Sequence, residues 1–152
     1  MSDTFNQALN GDISAFAELY AENYKDMYHV AYHSLANVSE ATDAVKFAAR
    51  DAYGDIRRCS SKDEFKLLMV KKLCDRIIGR FKEYRKNTPQ YEVNSPYIKA
   101  QMKKLTDAER FSVALCAVYG INAKEIAKLS GLAEDVVSVK LKSGQAKLEP
   151  KL

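Results

Sequence analysis

From Phe16 to Leu35 the apolar residues return every three or four positions, and the same spacing recurs along most of the chain, where strand-like alternation is weak. Helices place residues so spaced on one face. With 6 Gly and 3 Pro in 152 residues, little interrupts the pattern, so the chain is expected to be all-α. Its 47% apolar content suffices for a core, and no apolar run approaches the length of a membrane span.

Capping signals divide the pattern into helices. Thr4-x-x-Gln7 has the form of a capping box, Asn10-Gly11 closes that short helix, and Asp12 caps a second one continuing to Asn37. On it Tyr20, Tyr24, Tyr28 and Tyr32 form a stripe suited to core packing or to stacking on bases. Ser39 caps a third helix whose Ala41, Ala44, Val45, Ala48 and Ala52 admit a close partner. Ser61 and Glu64 open a long fourth helix, apolar along Phe65, Leu68, Met69, Leu73, Ile77, Phe81 and Tyr84. Its remaining surface carries Lys71, Lys72, Arg76, Arg80, Lys82, Arg85 and Lys86. Residues 87–97, with two of the three prolines, are expected to link a helical bundle domain (1–86) to a second domain of three to four helices (98–150).

In that second part Thr106–Glu109 and Asn122–Glu125 are capping boxes, Gly120 and Gly131 are turn residues, and Val136, Val137, Val139 and Leu141 give the last helix an inner face. These signals describe a helix-turn-helix. Two generic helices joined by a glycine are the competing explanation. Gly144 lies within the last helix, where glycine costs about 1 kcal/mol relative to Ala, so Gly144→Ala is expected to stabilise it.

The net charge of +4 hides an asymmetry: residues 1–55 hold 3 basic and 9 acidic side chains, residues 56–104 hold 14 and 5, and the remainder 7 and 6. A local excess of that size points to a polyanion. Cys59, Cys74 and Cys116 are odd in number and far apart, which suits buried structural thiols. The start of the chain lacks the features of a secretory signal, so a cytoplasmic location is expected. His29 and His33 sit at i and i+4 near Asp26, but nothing in the sequence completes a metal site, and no phosphate loop or nucleophile constellation is evident. Catalysis, a cofactor, a small-molecule substrate and a membrane partner are not expected.

Asn10 to Tyr24 resembles the G-D-x-x-A-F-x-x-L-Y-x-x-Y opening of bacterial RNA polymerase sigma factors of the extracytoplasmic-function type, matching at Gly11, Asp12, Ala15, Phe16, Leu19, Tyr20 and Tyr24. Residues 105–137 are similar to the family's second domain at Leu105, Glu109, Arg110, Val113, Gly120, Glu125, Ile126, Ala127 and Gly131. The resemblance implies a promoter-melting helical domain joined to a helix-turn-helix domain. It also implies core RNA polymerase and promoter DNA as partners, with an anti-sigma protein as a third. Asp43, Lys46, Arg50 and Asp51 would then face the polymerase.

Departures fall on the working surfaces. The third-helix signature A-E-D-x-x-Q-[DE]-x-F reads ATDAVKFAA here, and three cations of T-V-K-S-R-L-x-R-A-R are lost between Val136 and Gln145. Ser138, Lys140, Lys142 and Lys147 remain as candidate DNA contacts on that helix, behind a Glu134-Asp135 start that repels phosphate. Each neutralised phosphate adds about 0.9 to the salt slope of log K, so such losses weaken binding sharply. The linker is also short: a dozen residues reach about 40 Å, against promoter elements more than one helical turn, about 34 Å, apart. The expected function is a divergent sigma-like factor whose basic fourth helix carries the DNA contact. The rival is a degenerate sigma-like protein, a partner subunit or decoy, acting through protein contacts.

Overall fold

The computed structural model describes residues 3–84 and 95–148 as eight α-helices and one 3-10 turn, so the chain is all-α. In order these are α1 (Thr4–Leu9), α2 (Ile13–Leu35), α3 (Val38–Gly54), the 3-10 turn (Ile56–Arg58) and α4 (Lys62–Tyr84). They are followed by α5 (Pro96–Lys104), α6 (Asp107–Tyr119), α7 (Ala123–Ser130) and α8 (Glu134–Leu148). No helix among the described residues is long and apolar enough to cross a membrane.

Local chemistry sets most boundaries. Asp12 accepts the Ala15 N–H at 3.2 Å and Ser61 the Glu64 N–H at 3.1 Å. Both expected capping boxes at Thr106–Glu109 and Asn122–Glu125 are present. Gly120 and Gly131 end α6 and α7 with φ of 65° and 77°, the left-handed conformation that glycine adopts without strain. Two starts differ from expectation. Asp3, not Thr4, caps α1 by accepting the Asn6 N–H, since an aspartate one residue earlier outcompetes the hydroxyl. Asn37, not Ser39, caps α3, because α2 stops at Leu35 and Ala36 turns the chain with φ 53°. Most of the expected linker, 87–94, lies outside the described residues, but its end is helical: Ser95 caps α5 and Pro96 occupies the first turn.

The core is continuous from Phe5 and Leu19 through Val45, Met69 and Leu73 to Phe111, Leu115 and Ile126. Helix α3 meets α4 through the expected alanine face, and α2 packs on both. Helix α6 also lies along α2, and α7 against α4. Arg110, buried in α6, donates to the Ser34 carbonyl at the end of α2 at 3.2 Å and to the Leu105 carbonyl at 3.0 Å. Phe81 of α4 meets Phe111 edge-to-face at 6.1 Å between centroids. Bundle and helix-turn-helix therefore share one apolar interior.

Candidate nucleic-acid and polymerase interface

Helix α4 was expected to offer its cations outward. Instead its packing against α3 brings the acidic first third of the chain alongside the basic middle. Arg76 donates from Nε and Nη2 to one oxygen of Asp51, at 3.1 and 2.7 Å. Arg80 pairs with Glu40 and, at 3.4 Å, with Glu83; Lys72 pairs with Asp55 at 3.0 Å and Lys62 with Glu22 at 2.9 Å. Hydrogen bonding and the charge of Lys72 hold the Asp55 carboxyl below its ordinary value. Of the candidate phosphate contacts on α4, Lys71 and Lys82 are exposed and make no ion pair among the described residues. Arg85, Lys86 and the Tyr84 side chain lie outside the described residues. Phe81, expected on the apolar side of the helix, is half-buried against Phe111.

The four candidate polymerase residues lie on α3 beside this charge seam. Asp43 is exposed and lines a hollow with Glu40, Ala44, Phe47, Arg76 and Arg80. Lys46 and Arg50 lie over the Phe47 ring, at 5.8 and 4.8 Å from its centroid, and Arg76 approaches the same ring at 5.3 Å. Such cation–π contacts hold the long side chains against the helix. Asp51 is taken by Arg76, so one candidate polymerase residue and one candidate DNA residue bind each other. These pairs are weak: Arg76 and Arg80 remain 41% exposed, and exposed ion pairs contribute only about 0.2–1 kcal/mol.

Helix α8 presents a different face from the one its sequence suggested. Val137 is buried and Leu141 half-buried as expected, but Val136 and Val139 point outward, Val139 being 63% exposed. The buried side of the helix is set by Gly144. An alanine Cβ there would lie 2.7 Å from Val113 Cγ2 and 3.3 Å from Glu109 Cβ and its carbonyl oxygen, so the missing side chain is what lets α8 cross α6. This crowding works against the stabilisation expected from Gly144→Ala. On either side of the crossing, Ser143 donates to Glu109 and Lys147 binds Glu109 at 2.7 Å. Ser143 and Lys147 thus serve the α6–α8 contact.

Glu109 is only 2% exposed. Burial alone would raise its pKa, but hydrogen bonds from Lys147, Ser143 and the Thr106 N–H outweigh that and bring it down to about 2. Of the remaining candidates on α8, Lys142 is exposed, while Ser138 and Lys140 are half-buried.

Two further groups were legible as motifs in the sequence. The tyrosines of α2 stack on one another along its surface, Tyr24 on Tyr28 at 5.9 Å and Tyr28 on Tyr32 at 5.8 Å, with tilts of 17° and 13°. They are half-buried apart from the more exposed Tyr24, so they flank the core instead of filling it. His29 and His33 lie 6.3 Å apart between ring centroids, and Gln101 of α5 holds the Nδ1 of His33 at 3.0 Å. Burial lowers the His33 pKa, favouring the neutral ring. Cys74 is fully buried and its thiol is pushed up to about 12, which keeps it protonated.

The signal that sequence reading missed is the complementarity of α3 and α4: acids at 40, 51 and 55 meet cations at 80, 76 and 72 in antiparallel order. No protein-family model matches the chain, and neither does any curated protein.

Proposed function

We propose that this chain is a sigma-like transcription factor that binds core RNA polymerase and contacts promoter DNA. One observation carries the reading: a bundle of α2, α3 and α4 precedes a helix-turn-helix, α7 and α8, braced by α6, in the order the sequence resemblance implies. Lys71 and Lys82 on α4, with Arg85 and Lys86 beyond the described residues, supply phosphate contacts, joined by Arg76 and Arg80 once their acids are displaced. Lys140 and Lys142 are the cations left for DNA on α8. Asp43, Lys46 and Arg50 meet the polymerase. On this reading, engaging two promoter elements at once calls for α6 to leave α2 and α7 to leave α4.

The second reading, a sigma-like protein working through protein contacts alone, is favoured by a specific pair of observations. The outward side of α8 exposes Val136 and Val139, and its Lys147 is spent on Glu109. Copurification with core polymerase, followed by DNA binding across a salt series, separates the two. Polymerase and salt-dependent DNA binding together are the expected result. Polymerase without DNA establishes the second reading, and binding to neither removes both.

A further inference from the structure

Between the N-terminal half of α4 and α7 lies a groove of about 530 Å³, within the range of small-molecule sites, about 300–1,000 Å³. Its apolar wall is built by Leu67 and Leu68 of α4, Ile121 of the α6–α7 connection and Leu129 of α7. Leu67 is 54% exposed although it faces other apolar groups across the groove, so a ligand there has apolar surface left to cover.

The charged groups around the wall are unequal in their commitments. Glu64 accepts the Ser60 N–H at 2.7 Å and Glu125 accepts the Asn122 N–H at 3.3 Å, so each acid is engaged with backbone at a helix start. Arg58, Lys71 and Lys128 also line the groove, and none makes an ion pair among the described residues. Glu64 and Glu125 still count, so three cations against two carboxylates leave the rim with a net charge of +1. An apolar cleft with one positive charge in excess suits an apolar chain ending in a single carboxylate better than a neutral or cationic head.

We propose that this groove binds an amphiphilic carboxylate, its chain along Leu67, Leu68 and Leu129 and its anionic head among Arg58, Lys71 and Lys128. The ligand touches α4 and α7 together, so occupancy ties the helix-turn-helix to the bundle and opposes their separation. This site stands whatever the chain does at a polymerase.

Dodecanoate, kept below its micelle point, is the probe, titrated into the full chain by calorimetry and by methyl NMR; dodecanol and dodecyltrimethylammonium are the controls. Saturable binding of dodecanoate at one site, with shifts at Leu67, Ile121 and Leu129 methyls and a raised melting temperature, is expected. Leu67→Asp and Lys128→Glu, both at exposed positions, should each weaken it by about tenfold or more, while Lys142→Glu on α8 should not. Equal binding of the alcohol or the ammonium overturns the charge argument. Absence of saturable binding, or shifts confined to methyls elsewhere, overturns the site. Should either groove variant fail to fold, the methyl shifts in the unaltered chain decide the matter.

Discussion

Replacing Gly144 by alanine sets two energies of similar size against each other. Helix propensity favours alanine by about 1 kcal/mol. The new Cβ, however, arrives 2.7 Å from Val113 Cγ2 and 3.3 Å from two atoms of Glu109. Overpacking of this kind costs about 1–3 kcal/mol. Val113 cannot turn aside cheaply, since a β-branched side chain in a helix has one strongly preferred χ1. Helix α8 must therefore move away from α6, loosening Ser143 and Lys147 from Glu109. A net loss of up to about 2 kcal/mol follows, read as a lower urea midpoint by circular dichroism. Val113→Ala tests the cause. Alone it should cost about 1.6 kcal/mol for two methyl groups, but in its presence Gly144→Ala should become stabilising by up to about 1 kcal/mol. If Gly144→Ala stabilises the unaltered chain, or costs the same in both backgrounds, the close crossing is not what holds glycine at this position.

Glu109 has a folded pKa of about 2 against an ordinary value of 4.5, so the folded state binds fewer protons than the unfolded one between those values. Its contribution is complete above about pH 5 and lost as pH falls toward 2; Glu109→Gln should flatten the fall of the urea midpoint across that range. Lys147→Ala, which removes a charged hydrogen bond to the same carboxylate, should cost about 1.5–3 kcal/mol at pH 7 by the same measurement. Tyr119, whose phenol is pushed up by burial, has a buried hydroxyl with no hydrogen-bond partner among the described residues; Tyr119→Phe should raise stability by about 1 kcal/mol in thermal unfolding. Asp51→Asn should release Arg76 from its ion pair and strengthen low-salt DNA binding several-fold, whereas unchanged binding would remove that arginine from the proposed interface.

The helical class and most helix ends were legible because capping is local. Asn122 and Glu125 declare a helix start within four residues, and Gly131 declares a stop by itself. Ala36 illustrates the limit. Nothing in its side chain advertises a left-handed residue, and the α2–α3 corner forms there because Leu35 and Val45 are both buried on either side of the turn. Gly144 was read by its local cost alone, since the residue requiring it, Val113, lies thirty-one positions away. On α8, Val136 and Val139 look like inner-face residues by type, but the crossing at Gly144 decides which side is covered.

The charge pattern shows how a sound sequence inference can point in two directions. Fourteen basic against five acidic residues between 56 and 104 attract negative charge, and a polyanion is one way to supply it. The fold supplies another, because packing α4 along α3 and α2 sets Glu22, Glu40, Asp51 and Asp55 beside its cations. Internal pairing and external binding are not exclusive here. The pairs are half-exposed and individually worth less than about 1 kcal/mol, too little to keep a dense row of phosphates from exchanging with carboxylates in low salt. They are sufficient to align α4 on α3 and to lower the free energy gained on any such exchange. On the proposed function, such a face would bind a polyanion only when local concentration is high, as when a polymerase already held the DNA nearby.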